Sequence, residues 1–151
     1  MNNNIGLIIS ENPISRSYIN ILKKNNFKLK YLIYLLKPKF YFKIISARIN
    51  FLKKNSFAIN FLKNDDILDL TNQIENYFNF EKNFCLKMYN FNNIFDIADK
   101  IHFISDENIN SSKSIEFFKK IPKTIFINTG NQILKNILDT NHEFVHIHSA
   151  Y

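Results

Sequence analysis

Four short apolar runs, spaced along the chain by polar or helix-length sequence, set the strongest limit on what it can fold into. They are IGLIIS (5–10), KLKYLIYLL (28–36), KTIFINTG (123–130) and EFVHIHSAY (143–151). Continuous apolar runs of this length are the mark of strands buried on both faces, as in a parallel sheet. The first two are joined by ENPISRSYINILKKNNF. There Ile14, Tyr18, Ile19, Ile21 and Leu22 fall at near-helical spacing, and Asn25 and Asn26 supply a stop. A strand, a helix and a strand in succession favour parallel pairing. The predicted class is α/β, a mostly parallel open sheet flanked by helices.

Between these runs the pattern is less regular. KPKFYFKIISARINFLKKNSFAINFLKN, which covers 37–64, reads as one or two helices with Phe40, Ile44, Ile45, Phe51, Leu52 and Phe61 among its apolar positions. Its basic amphipathic character suits packing onto the domain, and also a membrane surface or a partner. The acidic stretch 65–80 reads as a loop with a short helix, FCLKMY (84–89) as a third strand, and NNIFDIADK as a helical turn. IHFISDENIN reads as a strand fragment running into a loop. SSKSIEFFKKI (111–121) carries a serine N-cap and is stopped by Pro122. NQILKNILDTN (131–141) reads as a helix. No repeat and no Ser/Gly linker divides the chain, so 1–151 is expected to be a single domain with a basic helical insertion around 37–64.

A chain of 151 residues with 46% hydrophobic and 15% aromatic content can bury a real core. Its single cysteine, Cys85, excludes an internal disulfide framework and a Cys-based zinc site. No apolar run reaches the roughly 18 residues of a spanning helix, and MNNNIGLIIS lacks the features of a signal peptide, so a cytoplasmic location is expected. The net charge of +7 is unevenly placed. Residues 12–64 hold twelve of the 20 basic side chains and no carboxylate, while 65–151 hold eight bases against twelve acids. That asymmetry suits phosphates, nucleic acid or anionic lipid, and equally a solvated lysine-rich helix surface.

Chemistry-bearing motifs are few. Gly6 and Gly130 are the only glycines, so neither a G-x-G-x-x-G turn nor a P-loop is present. A ligand crevice at strand C-terminal ends remains open to such a sheet. His146 and His148 alternate along the last run and should share one face of a strand, with Val145 and Ile147 on the other. With His142 upstream they form a candidate zinc set, and as a pair they also read as ordinary polar residues at a sheet edge.

Taken as one block, KTIFINTGNQILKNILDTNHEFVHIHSAY resembles the centre of the folate-dependent formyltransferase domain. That family includes methionyl-tRNA, glycinamide ribonucleotide and sugar N-formyltransferases. Its pattern is a strand ending near Gly, an Ile-Leu pair opening a helix, and a strand closing in Asn-x-His before a Leu-Pro turn. Gly130, Ile133-Leu134 and His148 follow in that order, and the resemblance covers about residues 105 to 151. It implies a Rossmann-like domain with 10-formyltetrahydrofolate as cofactor. His148 would be the catalytic histidine, His146 would stand where the family has Asn, and Gly130, Asn131, Gln132, Ile133 and Leu134 would line the pterin pocket. The acceptor would be a small-molecule amine, such as a nucleotide-linked amino sugar, ahead of methionyl-tRNA.

Departures from the family narrow the expectation. SENPIS lacks the glycines that cradle phosphate in the glycinamide ribonucleotide enzymes. The family's Leu-Pro turn, Arg-Gly pair and catalytic Asp have no counterpart in the chain, whose C-terminal part of the domain is expected to be absent, leaving a fragment with little activity alone. The alternative is a non-catalytic basic α/β module that binds RNA, or an anionic membrane surface peripherally, through residues 12–64.

Overall fold

The computed structural model describes residues 4–10, 13–38, 65–88 and 96–146. The expected basic insertion, beyond Pro38, and His148 lie outside the described residues. In chain order the elements are β1 (Ile5–Ser10), α1 (Pro13–Lys24), β2 (Leu29–Leu35), α2 (Asp65–Tyr77) and α3 (Phe84–Met88). Then come β3 (Ala98–Ile104), α4 (Ser112–Phe118), β4 (Ile125–Asn128), a 3-10 turn (Asn136–Asp139) and β5 (Glu143–His146).

All five strands run parallel in the order β3-β2-β1-β4-β5. This is an α/β, Rossmann-like arrangement, as the alternation of apolar runs predicts. The chain begins in the middle of the sheet, grows outward through β2 and β3, then returns to the other side of β1. Each face of the sheet is covered. Leu7, Ile9, Leu32 and Tyr34 pack with Ile19 of α1 in one layer. Ile8, Tyr31, Ile33 and Phe126 pack with Phe118 of α4 and Ile137 of the 3-10 turn in the other.

Local signals explain several boundaries. α1 ends where Asn26 takes a positive φ of 54°, a conformation that Asn tolerates better than most residues, while the Asn25 side chain donates to the Ile21 carbonyl at 2.8 Å. α4 starts at Ser111, whose hydroxyl accepts from the Ser114 N–H at 3.2 Å.

Four expectations are corrected, the first being the helical turn over NNIFDIADK, whose Ala98–Lys100 instead open β3. FCLKMY is a short helix over Phe84–Met88, because the Glu75 carboxylate takes the backbone N–H groups of Asn83 and Cys85, at 2.8 and 2.9 Å, and so caps a helical turn there. The acidic stretch is a full helix of 13 residues. The segment after Gly130 is helical only at Asn136–Asp139, and as a 3-10 turn. Side-chain bonds hold the rest of it in an irregular, non-helical path: Asn110 donates to the Ile133 carbonyl at 2.9 Å and accepts from the Lys135 N–H at 2.7 Å.

β3 gives a pH-dependent element. Its His102 ring stacks on Tyr31 at 6.2 Å and lies 5.0 Å from Phe117. Burial pushes this imidazole below its ordinary value, and Lys100 adds to the effect. The unfolded chain therefore binds the proton more readily than the folded one. Stability that is whole above an unfolded histidine's pKa of about 6.5 is lost as pH falls through that value toward the folded one. Replacing His102→Phe should keep the ring packing and flatten this part of the profile. Urea midpoints at about pH 8 and about pH 5.5 would check it, and an equal acid loss in parent and variant would count against the assignment.

Candidate functional site

In an open parallel sheet the ligand crevice lies outside the strand C-terminal ends, where the strand order reverses. Here the reversal falls between β1 and β4, whose register pairs Ile8 with Asn128. β5 continues the same layer, with Asn128 paired to His146. The residues gathered at this end are therefore Ser10, Ser15, Asn128, Thr129, Gly130 and His146.

A hydrogen-bonded relay fixes the floor. The Thr129 hydroxyl donates to the Ile8 carbonyl at 3.0 Å, and its backbone N–H reaches the same oxygen at 3.1 Å. Since a hydroxyl carries one proton, the 3.0 Å contact between Ser15 and Thr129 has Ser15 as donor. Ser15 in turn accepts from the Ser10 N–H at 3.4 Å. Both side chains are buried, so the start of α1 is tied to the end of β4 by groups that satisfy one another.

Above this floor the Asn128 side chain folds back on its own turn, and its Oδ1 accepts the Gly130 N–H at 3.2 Å. The opposite end of the amide, Nδ2, has no partner among the described residues, although the residue is only 2% exposed. His146 reaches across from β5, where its Nε2 lies 2.7 Å from the Gly130 carbonyl. A carbonyl only accepts, so this nitrogen carries the ring proton.

The other residues expected at the pocket take distinct roles. Gln132 bridges to the preceding loop, donating to the Glu107 carbonyl at 3.0 Å and accepting from the Ile109 N–H at 3.0 Å. Asn131 and Ile133 are exposed, while Leu134 is half-buried against the second core layer. His142 stands apart from the crevice: its Nδ1 accepts the Thr124 N–H at 3.1 Å and its Nε2 donates to the Phe118 carbonyl at 2.7 Å. Both ring nitrogens thus pin α4 to β4, which takes His142 out of a zinc set. No group of three or more His, Cys, Asp or Glu residues placed to hold a metal occurs among the described residues.

Cys85 is buried, and burial first, then the Glu75 carboxylate, pushes its thiol up, away from nucleophile character. The basic stretch is partly neutralised where it is described. Lys28 and Lys30 meet Asp99 at 3.1 and 3.4 Å, and Lys37 meets Glu107 at 3.6 Å. The hydrogen bond from Lys28 holds the Asp99 carboxyl below its ordinary range. Among the described residues, no helix is long and apolar enough to cross a membrane.

Asn128, Thr129 and Ser15 were not singled out by the sequence reading. The signal that points to them is the Asn-Thr-Gly turn closing an apolar strand. No protein-family model, curated protein or solved structure matches this chain.

Proposed function

We propose that the chain is a formyltransferase-like protein, moving the formyl group of 10-formyltetrahydrofolate to an amine such as a nucleotide-linked amino sugar. One observation carries the reading. Of the two runs that resemble the family, 123–130 contains β4 and the described part of 143–151 is β5 (Glu143–His146), parallel neighbours beside the switch point, with His146 bonded to the turn at Gly130.

The donor set fits such a cofactor: an amide N–H with no partner among the described residues and a glycine turn suit an acyl oxygen, and the non-helical 131–134 backbone keeps peptide groups available to a pterin ring. The cofactor, when bound, supplies an electrophilic formyl carbon. The chain's part is to orient that group, to stabilise the developing oxyanion, and to move the amine's proton, for which His148 is the assigned residue. Gly130 and Asn131 would face the cofactor through backbone groups, and Ile133 and Leu134 through apolar contact. Gln132 would hold the wall in place through the 107–109 loop.

The test measures binding of 5-formyltetrahydrofolate and formyl transfer by the 151-residue chain. The same measurements are then made on a version extended by the next segment of a sugar formyltransferase. The expected result is weak folate binding by the chain and turnover by the extended form that His148→Ala removes. Robust turnover by the short chain would overturn the half-site part of the reading.

Salt-sensitive retention on a single-stranded oligonucleotide, without folate binding, would favour the nucleic-acid module instead. That contact would be sought on the basic residues 12–64, of which Lys24 borders a groove of about 470 Å³ lined also by Asn79, Phe80, Glu81, Phe84 and Lys87, the last paired with Glu81 at 3.6 Å.

A further inference from the structure

We propose that Asn128 is the amide that receives the ligand's oxygen at the switch point, a formyl or carboxylate oxygen, in the place that His146 would otherwise fill. The identity of the ligand rests on the formyl-transfer reading above; the chemistry of the contact does not.

A neutral imidazole has one N–H, and that of His146 is committed to the Gly130 carbonyl at 2.7 Å. A side-chain donor for an incoming oxygen at this place must therefore come from another residue. Asn128 is the register partner of His146 on the adjacent strand, and paired residues project from the same face of a sheet. Its orientation is set from within, because the Gly130 N–H needs an acceptor and so places Oδ1 toward the turn. The amide nitrogen is left facing away from that bond with no partner among the described residues.

Such an atom is rare because a buried donor without an acceptor destabilises the fold. One other is found among the described residues, the Tyr34 hydroxyl, and it sits in the opposite core layer. The Asn128 donor instead lies at the C-terminal end of β4, where ligands of this fold class bind. A destabilising group retained at that place is the signature of a site rather than of packing.

Gly130 lies against it. Its φ is not positive, so the backbone does not require glycine. What glycine provides is space: a Cβ there would stand 3.3 Å from Oδ1 and 3.9 Å from Nδ2 of Asn128. An alanine methyl would crowd the amide, most tightly at Oδ1, while leaving the turn conformation allowed.

The experiment follows the side-chain ¹⁵NH₂ signals of Asn128 in the full 151-residue chain, assigned by their absence in Asn128→Leu. Sodium formate is titrated first and 5-formyltetrahydrofolate second. Both should move these signals. Gly130→Ala, with the amide intact but crowded by the added methyl, should weaken the formate response roughly tenfold, the equivalent of one hydrogen bond. In Asn128→Leu the backbone ¹⁵N–H signal of Gly130 should no longer respond to formate; the variant loses the unpaired donor and also the acceptor of the Gly130 N–H, so its melting temperature is measured alongside. The same signals are assigned independently by correlation to the Asn128 backbone, so if Asn128→Leu does not fold, Gly130→Ala decides the matter alone. Folate binding that leaves the Asn128 signals unmoved overturns the assignment and leaves the formyl-transfer reading standing. Movement with formate but none with folate supports the assignment and overturns the folate reading. No movement with either probe overturns the assignment.

Discussion

Gly6→Ala should lower stability by about 3 kcal/mol and the melting temperature by roughly 10 °C, the upper range for overpacking a well-filled interior. Gly6 lies in β1, the central strand, and pairs with Tyr31 on one side and Phe126 on the other. An added Cβ would run into the Phe126 ring itself. That ring has nowhere to go. It is wholly buried, with Phe118 edge-on at 5.0 Å, His142 at 5.2 Å and Phe144 stacked at 6.0 Å. The glycine is thus half of a packing pair whose other half is phenylalanine. The double variant Gly6→Ala with Phe126→Leu should recover part of the loss, because the shorter side chain vacates the space the methyl needs. Urea denaturation of the two single variants and the pair measures this coupling. Strictly additive losses would show that the ring is not what the methyl meets.

Glu75→Ala should cost about 3 kcal/mol, since hydrogen bonds to an ionised group contribute about 1.5–3 kcal/mol each and two are lost. The carboxylate, 5% exposed, holds the N–H groups of Asn83 and Cys85 and thereby joins α2 to α3. A second readout comes from the cysteine. Glu75 is among the causes that raise the Cys85 thiol, so its removal lowers that pKa as well as loosening the turn that covers the sulfur. Labelling of Cys85 by a disulfide reagent should therefore become faster in the variant, while Glu75→Gln, which keeps one acceptor oxygen, should fall between the two. Unchanged labelling with a full loss of stability would mean that α3 stays docked without its cap.

Sequence made the centre of the sheet legible because β1 and β2 bury both faces, and Ile and Leu in unbroken runs have few other uses. α2 was harder to see for a definite reason. Its buried positions include Thr71 and Glu75, so the apolar stripe that marks a helix is interrupted by polar groups that find partners only in the fold. FCLKMY misleads for the complementary reason: a short apolar run fits a strand or a helical turn, and a carboxylate nine residues earlier decides between them. β3 was blurred by exposed Asp99 and Lys100 at its start. At the site, Gly130 and His146 could be picked from the chain, and they do meet. The neighbourhood of Asn128 and His146, 18 positions apart, exists only through strand register and could not be read from spacing.

The position of β1 also has consequences for how the chain is made. Its N-terminal edge is closed by β4, with Asn4 and Ile125 joined by a backbone hydrogen bond across 121 positions. A ribosome adding roughly 5–20 residues per second needs on the order of ten seconds between the two. Throughout that interval β1 and β2 can pair, but the other edge of β1 presents unpaired amides beside Leu7, Ile8 and Ile9. Such an edge is a template for any other strand. The nascent chain is therefore most open to misassociation before β4 is synthesised, and a chaperone that shields residues 5–10 during that interval would raise the yield of folded protein more than any later assistance.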